Sequence, residues 1–296
     1  DGKVHLVRGK YFDGSHREYA VAAYLQDEWQ LRTNLRFTAG VRLDRHEFRN
    51  GPTTYQANPR LGLNYRPAPA LSMRASAGRG FRVPTVAERA MSFATANFSV
   101  LPTQRLDPER SWTYEAGIRK MVGNSSYLDV AVFQNNYRDF VEPLIDLGKT
   151  AAQIVVSFQN VPDARIRGFE LAGGTRGWRQ RLQVEGGLTF LDSKDLDLRR
   201  PLAYRPRWSG QLSPSVHLGR VHLRVDYRYA SRLEQVTVYA SDQRVAQHEL
   251  NLRLRWELGA LDLTAGVNNV LNYNYTQIER NLGEIRNFAI GLSGSI

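Results

Sequence analysis

From Val221 to Tyr229 the chain reads Val-His-Leu-Arg-Val-Asp-Tyr-Arg-Tyr, apolar and polar in strict alternation. The beat returns at Leu250-Asn-Leu-Arg-Leu-Arg-Trp-Glu-Leu258. A strand turns successive side chains to opposite faces, so each segment has one greasy and one wet side. The greasy side has two destinations. It can meet a second sheet, as in a soluble sandwich, or lipid, as in a membrane barrel whose wet side lines a lumen.

Composition narrows the choice only partly. A content of 42% hydrophobic and 10% aromatic residues excludes disorder. No run approaches the ~18 apolar residues that a transmembrane helix needs, which says nothing against membrane strands. The chain opens Asp1-Gly2-Lys3 without an apolar core, so the expectation is a mature chain or a piece of a longer one. Net charge is +11, and only five of the forty basic residues are lysine. The arginines are spread along the alternating segments rather than clustered, and no nucleic-acid-binding motif accompanies them. No nucleic-acid partner is therefore expected. Lipopolysaccharide phosphates outside a barrel, or an anionic ligand within it, account for the charge.

Period two and turn residues predict strands at about 18–29, 34–48, 57–66, 70–82, 110–121, 126–139, 154–176, 180–193, 206–218, 221–232, 246–257, 260–273 and 286–296, with a weaker one at 3–9. No helix of useful length and no domain boundary is legible. Connections alternate between tight turns and longer excursions at 48–56, 83–109, 140–153, 194–205, 233–245 and 274–285. Short turns on one rim and long loops on the other describe an outer-membrane barrel. Tryptophan agrees: Trp29 and Trp256 close strands at the short-turn rim, Trp178 sits in a short turn, and Trp112 and Trp208 open strands at the long-loop rim. Those are the interfacial levels an amphipathic ring favours. The fold class expected is all-β, a transmembrane antiparallel up-and-down barrel. Val221, Leu223, Val225, Tyr227 and Tyr229 face lipid, while His222, Arg224, Asp226 and Arg228 face the lumen.

Several segments, in order, carry a family resemblance. Asn58-Pro-Arg-Leu-Gly-Leu-Asn-Tyr-Arg-Pro67 precedes Arg74-Ala-Ser-Ala-Gly-Arg-Gly-Phe-Arg-Val-Pro-Thr-Val-Ala-Glu88. Leu106-Asp-Pro-Glu-Arg-Ser-Trp-Thr-Tyr-Glu-Ala-Gly117 follows, then Phe158-Gln-Asn-Val161 and Ala164-Arg-Ile-Arg-Gly-Phe-Glu170. Last come Ala265-Gly-Val-Asn-Asn-Val-Leu-Asn-Tyr273 and Phe288-Ala-Ile-Gly-Leu-Ser293. Together they resemble the late half of a TonB-dependent outer-membrane receptor. The resemblance implies a bacterial outer-membrane location and active uptake of a scarce solute such as a ferric siderophore or cobalamin. It implies outer-membrane lipid and lipopolysaccharide as surroundings, and as ligand a small molecule such as a metal chelate. Coupling to the TonB system would run through a plug domain not in this chain. Such receptors carry about twenty-two strands, so residues 1–296 are read as the C-terminal portion of the barrel, thirteen or fourteen strands of it. One departure is the ending Gly294-Ser-Ile296, where the family usually closes on an aromatic ring; Ile296 keeps only the apolar phase.

The competing expectation is a self-closed passive channel with an arginine-lined lumen. It requires the first and last strands to hydrogen-bond to each other, whereas a piece of a larger barrel leaves them apart. For chemistry the sequence offers little. The histidines are scattered, with His222 and His248 assigned to polar faces, and no nucleophile, phosphate or zinc motif is present, so no enzyme, cofactor or resident metal is expected. Asp192-Ser-Lys-Asp-Leu-Asp197 lacks calcium-loop spacing and reads as a solvated turn. Glu109, Glu115 and Glu170 read as members of structural ion pairs. Ligand contact is assigned to loop aromatics and arginines: Tyr55, Phe93, Phe98, Arg105, Tyr239, Tyr275 and Arg280.

Overall fold

The computed structural model describes residues 2–7, 16–49, 51–95, 98–103, 105–146, 154–237, 243–278 and 281–294. Fourteen strands follow one another edge to edge. They are β1 (Gly2–Val7), β2 (His16–Arg32), β3 (Leu35–Phe48), β4 (Thr53–Ala68), β5 (Leu71–Arg82), β6 (Glu109–Val122) and β7 (Ser126–Asp146). The second half comprises β8 (Ile154–Gly177), β9 (Leu182–Asp195), β10 (Trp208–Leu218), β11 (Val221–Ala230), β12 (Gln247–Leu258), β13 (Leu261–Asn268) and β14 (Asn287–Gly294). Every neighbouring pair is antiparallel.

The largest departures from the boundaries read in the sequence are three. β4 begins at Thr53, and β7 continues to Asp146 through what reads as a loop. β13 stops at Asn268, because Asn269 and Asn272 adopt φ of 45° and 48° and turn the chain out of the sheet. Ile296 lies outside the described residues. Two-residue turns at 219–220 and 259–260 open on glycines with φ of 64° and 78°, the left-handed backbone that such hairpins need.

Registers confirm the two faces row by row. On the outer face one row reads Met73, Ile118, Val130, Leu171, Leu188 across β5 to β9. Another reads Val216, Leu223, Leu254, Ala265, Ile290 across β10 to β14. Met73, Ile118, Val130, Leu171, Leu223 and Ile290 are exposed, Leu223 at 41% and Ile290 at 82%, and no second sheet covers these rows among the described residues. Aromatic rings border this apolar band on the same face. Trp29 stacks on Phe37 toward the short-turn rim, and Trp112 with Tyr114 and Trp208 with Phe169 and Phe190 mark the other. The eleven residues of β10, at ~3.3 Å each and a tilt of ~40°, cross about 25 Å, the height of a lipid-facing band. His248 belongs to this outer face, opposite Tyr229, with its Nδ1 2.8 Å from the Tyr227 hydroxyl. The polar-face reading of that histidine is thereby corrected: it has the phase of Leu250 and Leu252.

The wall does not close on itself. β1 pairs with β2 and β14 with β13, and no register joins the two ends among the described residues. A self-closed channel would need that seam. The sheet is an arc of a larger barrel.

Candidate functional site at the long-loop mouth

The inner face is a lattice of short ion pairs. Arg74 on β5 crosses β6 at Gly117 to reach Asp129 on β7 at 2.9 Å and Glu115 at 3.0 Å. A Cβ at Gly117 would stand 2.6 Å from the guanidinium carbon, so glycine is what lets the arginine span two strands. Farther along the arc Asp226 accepts from Arg224 at 2.8 Å and from the Ser213 hydroxyl at 2.7 Å, and Arg255 meets Asp262 at 2.7 Å.

At the long-loop rim the pairs hold loops inward. Arg82, at the end of β5, meets Glu109 at 2.6 Å and Glu88 at 2.8 Å. Glu88 belongs to a one-turn helix α1 (Val86–Ala90), where it closes a capping box with Thr85. Burial disfavours the Glu88 charge, but the Arg82 guanidinium and the Thr85 N–H outweigh it and hold the carboxyl below its ordinary range. From α1 the segment crosses the tall β7–β8 hairpin. Phe93–Ala94 pairs with Ser99–Val100, and Phe98–Val100 lies parallel against Ile154–Val156. That edge of β8 is bare because β9 pairs only as far as Ala164. Asn160 continues the clasp, donating to the carbonyls of Asp107 and Asp139 and accepting from the Asp107 N–H.

A second loop folds inward beside it. Leu202, 2% exposed, packs on Val161 and Ala164 with Tyr137, Phe140 and Ile166 around them. Arg205 pairs with Glu142 at 3.2 Å. Burial nevertheless pushes the Glu142 carboxyl above its ordinary range. The last loop is pinned by Asn269, 2% exposed, whose amide donates to the carbonyls of Tyr273 and Glu284.

Below these loops the inner face of β8–β12 carries a cavity of about 480 Å³. Two adjacent rows floor it: Glu170, Thr189, Ser209, Ala230, Gln247 and Ala172, Gly187, Gln211, Arg228, Glu249. The small residues leave the space, and the others supply donors and acceptors of both signs. Tyr275, 5% exposed, completes the lining from the last loop. Arg228 lies 3.8 Å from Glu249, which also accepts from Asn251 at 2.6 Å. Glu170 has no ion pair among the described residues, unlike Glu109 and Glu115, so the structural-pair reading fails for it. Its carboxylate is available to a guest.

The loop residues singled out in the sequence do not form one cluster. Tyr275 alone joins the cavity. Tyr55, 69% exposed, stands on the outer face with its hydroxyl 3.2 Å from Arg45 Nε. Phe93 and the backbone of Phe98 lie in the inserted hairpin, and Arg105 is exposed just before Leu106. Tyr239 and Arg280 lie outside the described residues. Asp192 and Asp195 point to opposite faces of β9. Asp195 caps a turn by accepting from the N–H groups of Asp197 and Leu198, so the carboxylates of that segment do not converge.

A family model described as TonB dependent receptor-like, beta-barrel, matches residues 4–270. The "Probable hemoglobin and hemoglobin-haptoglobin-binding protein 3" of Haemophilus influenzae is 37% identical over 118 residues, 38% of this chain and 11% of that protein. "Transferrin-binding protein A" of Neisseria meningitidis serogroup B is 27% identical over 161 residues, 51% of this chain and 17% of that protein. Among solved structures, the siderophore receptor PirA from Acinetobacter baumannii superposes with a TM-score of 0.74 at 14% identity, covering 96% of this chain and 47% of that one. The chain thus spans about half the length of that solved barrel and matches a smaller share of the curated relatives.

Proposed function

Because the chain belongs to the TonB-dependent receptor-like β-barrel family of the Gram-negative outer membrane, we propose that it forms the ligand-handling half of a receptor that imports an iron-bearing solute. The inner-face cavity under inward-folded loops carries this reading. A passive wall has no need of a recess lined by Glu170, Gln211, Arg228, Gln247 and Glu249 and completed by a buried tyrosine. Mixed polar groups on a rigid sheet are a means of orienting a guest on its way through the lumen. Relatives named for binding haemoglobin or transferrin, and a siderophore receptor of like fold, support a cargo drawn from iron carriers. Work for transport would come through TonB acting on a plug; Tyr55, Phe93, Phe98, Arg105, Tyr239 and Arg280 would make first contact from the loops, and Tyr275 would meet the guest in the cavity.

The test is growth of the native bacterium on single iron sources: haemoglobin, transferrin or a ferric siderophore. Deleting the whole gene abolishes growth on one of them. The pair Arg228→Ala with Gln211→Ala lowers uptake at least tenfold at unchanged surface abundance. Equal growth of wild type and deletion on every iron source would refute the reading.

A further inference from the structure

A second recess occupies the opposite, short-turn end of the same wall. Below the floor of the first cavity comes one row holding Asp226 and Asn251, and below that row an inner-face hollow of about 620 Å³. Its upper row reads Ser215, Arg224, Arg253, Gly266 across β10 to β13, and its lower row His217, His222, Arg255, Thr264. No carboxylate stands on either row. Arg224 is set directly opposite Arg253, a like-charge pair that costs stability unless an anion lies between. Asp226 relieves Arg224 at 2.8 Å, and Asp262 relieves Arg255 at 2.7 Å. Arg253 meets no carboxylate among the described residues and donates instead to the Asn268 side chain and the Leu252 carbonyl. Its guanidinium lies along Gly266, where a Cβ would stand 3.2 Å from Nη1.

We infer that this hollow binds a small di- or tricarboxylate from the periplasmic side. Spacing selects the ligand. The Cα atoms of Arg224 and Arg253 stand about 5 Å apart across the strands, and Arg255 lies about 7 Å farther along β12. Carboxylates two or three carbons apart can each meet a separate guanidinium fork, whereas a lone phosphate reaches one or two. The hydroxyls of Ser215 and Thr264 add donors of the same sense. The upper cavity differs in kind. Glu170 and Glu249 in its floor repel a polyanion, so the ligand arrives past the short turns, which face the periplasm. A free polycarboxylate and the carboxylates of a metal chelate offer the same oxygens. The inference rests on the orientation of the wall in the membrane and is independent of what the loops capture.

The experiment titrates the whole receptor, extracted from the native outer membrane into dodecylmaltoside, with tricarballylate in a calorimeter. Its trimethyl ester, inorganic phosphate and ferric citrate are the comparison arms. Wild type binds tricarballylate, binds phosphate at least tenfold more weakly and gives no heat with the ester. Arg253→Gln weakens tricarballylate at least tenfold with the heat-resistant folded band intact. Ser215→Asp, which puts a carboxylate opposite Arg224 and removes no arginine, does the same. Tighter binding of ferric citrate than of tricarballylate assigns the chelate as the source, the reverse assigns the free anion, and either sustains the site. No binding of tricarballylate by wild type, as when an acidic protein segment fills the hollow, would overturn the assignment. So would equal affinity for phosphate or the ester, or unchanged affinity in Arg253→Gln or Ser215→Asp.

Discussion

A Cβ added to Gly168 would collide with the Phe190 carbonyl oxygen. Backbone on both sides of that contact is locked in the β8–β9 register, so nothing can move aside. Gly168→Ala is therefore expected to cost more than about 3 kcal/mol and to abolish the heat-resistant folded band on a gel, whereas Gly177→Ala, with open space around it, leaves that band intact. At this scale the sequence is an uneven guide. The phase of Val221–Tyr229 gives each side chain its face, because period two is a property of the strand alone. His248 is misplaced only when it is judged by polarity instead of by the phase of Leu250. The partner of Arg74 is not legible at all. Asp129 lies two strands away, and only the register brings the pair across Gly117. The cavity residues are hidden for the same reason: Glu170, Gln211, Arg228 and Glu249 read as four ordinary polar positions until four registers align them.

The inserted segment 83–108 is fastened through a carboxylate whose ionisation is favoured by folding. Glu88 has a folded pKa below its unfolded value, so its contribution is present above the ordinary carboxylate range and is lost as pH falls through that range and below it. Glu142, beside Arg205 of the neighbouring 196–207 loop, is shifted upward by burial, so its protonation gives up the ion pair but relieves a larger desolvation cost, and acid does not open that loop through Glu142. Acidification to about pH 3.5 is thus expected to expose residues 83–108 to pepsin before residues 196–207, with cut sites located by mass spectrometry; Glu88→Gln should bring the same cleavage at a milder pH. Simultaneous release of both loops would count against this account. In the sequence, Thr85 and Glu88 carry the spacing of a capping box, yet a single helical turn is too short to register as a helix.

Across the whole molecule the decisive contrast lies between neighbours. Leu252 faces outward midway between His248 and Trp256, while Arg253 faces inward beside Asn268 at 2.5 Å. Leu252→Arg should destabilise the membrane-inserted form by ~2–4 kcal/mol, measured by urea unfolding in phosphatidylcholine vesicles. Arg253→Leu should cost far less, because its face is wet. Equal effects would deny that the outer face meets lipid. The arc itself was legible in the alternation of short and long connections. Its open ends were legible only through likeness to larger barrels, since no local pattern reports which strand closes a sheet. Assembly order is written into the same wall. The hairpins at the short-turn rim close over only a few residues, whereas Phe98 must find Ile154 across the intervening β6 and β7. The clasp on β8 can form only after the β7–β8 hairpin has risen to offer an edge. Left uncovered, that edge is a template for strands of any nearby molecule. Phe98–Val100, laid along that edge, leaves it no free backbone to offer a neighbouring molecule there.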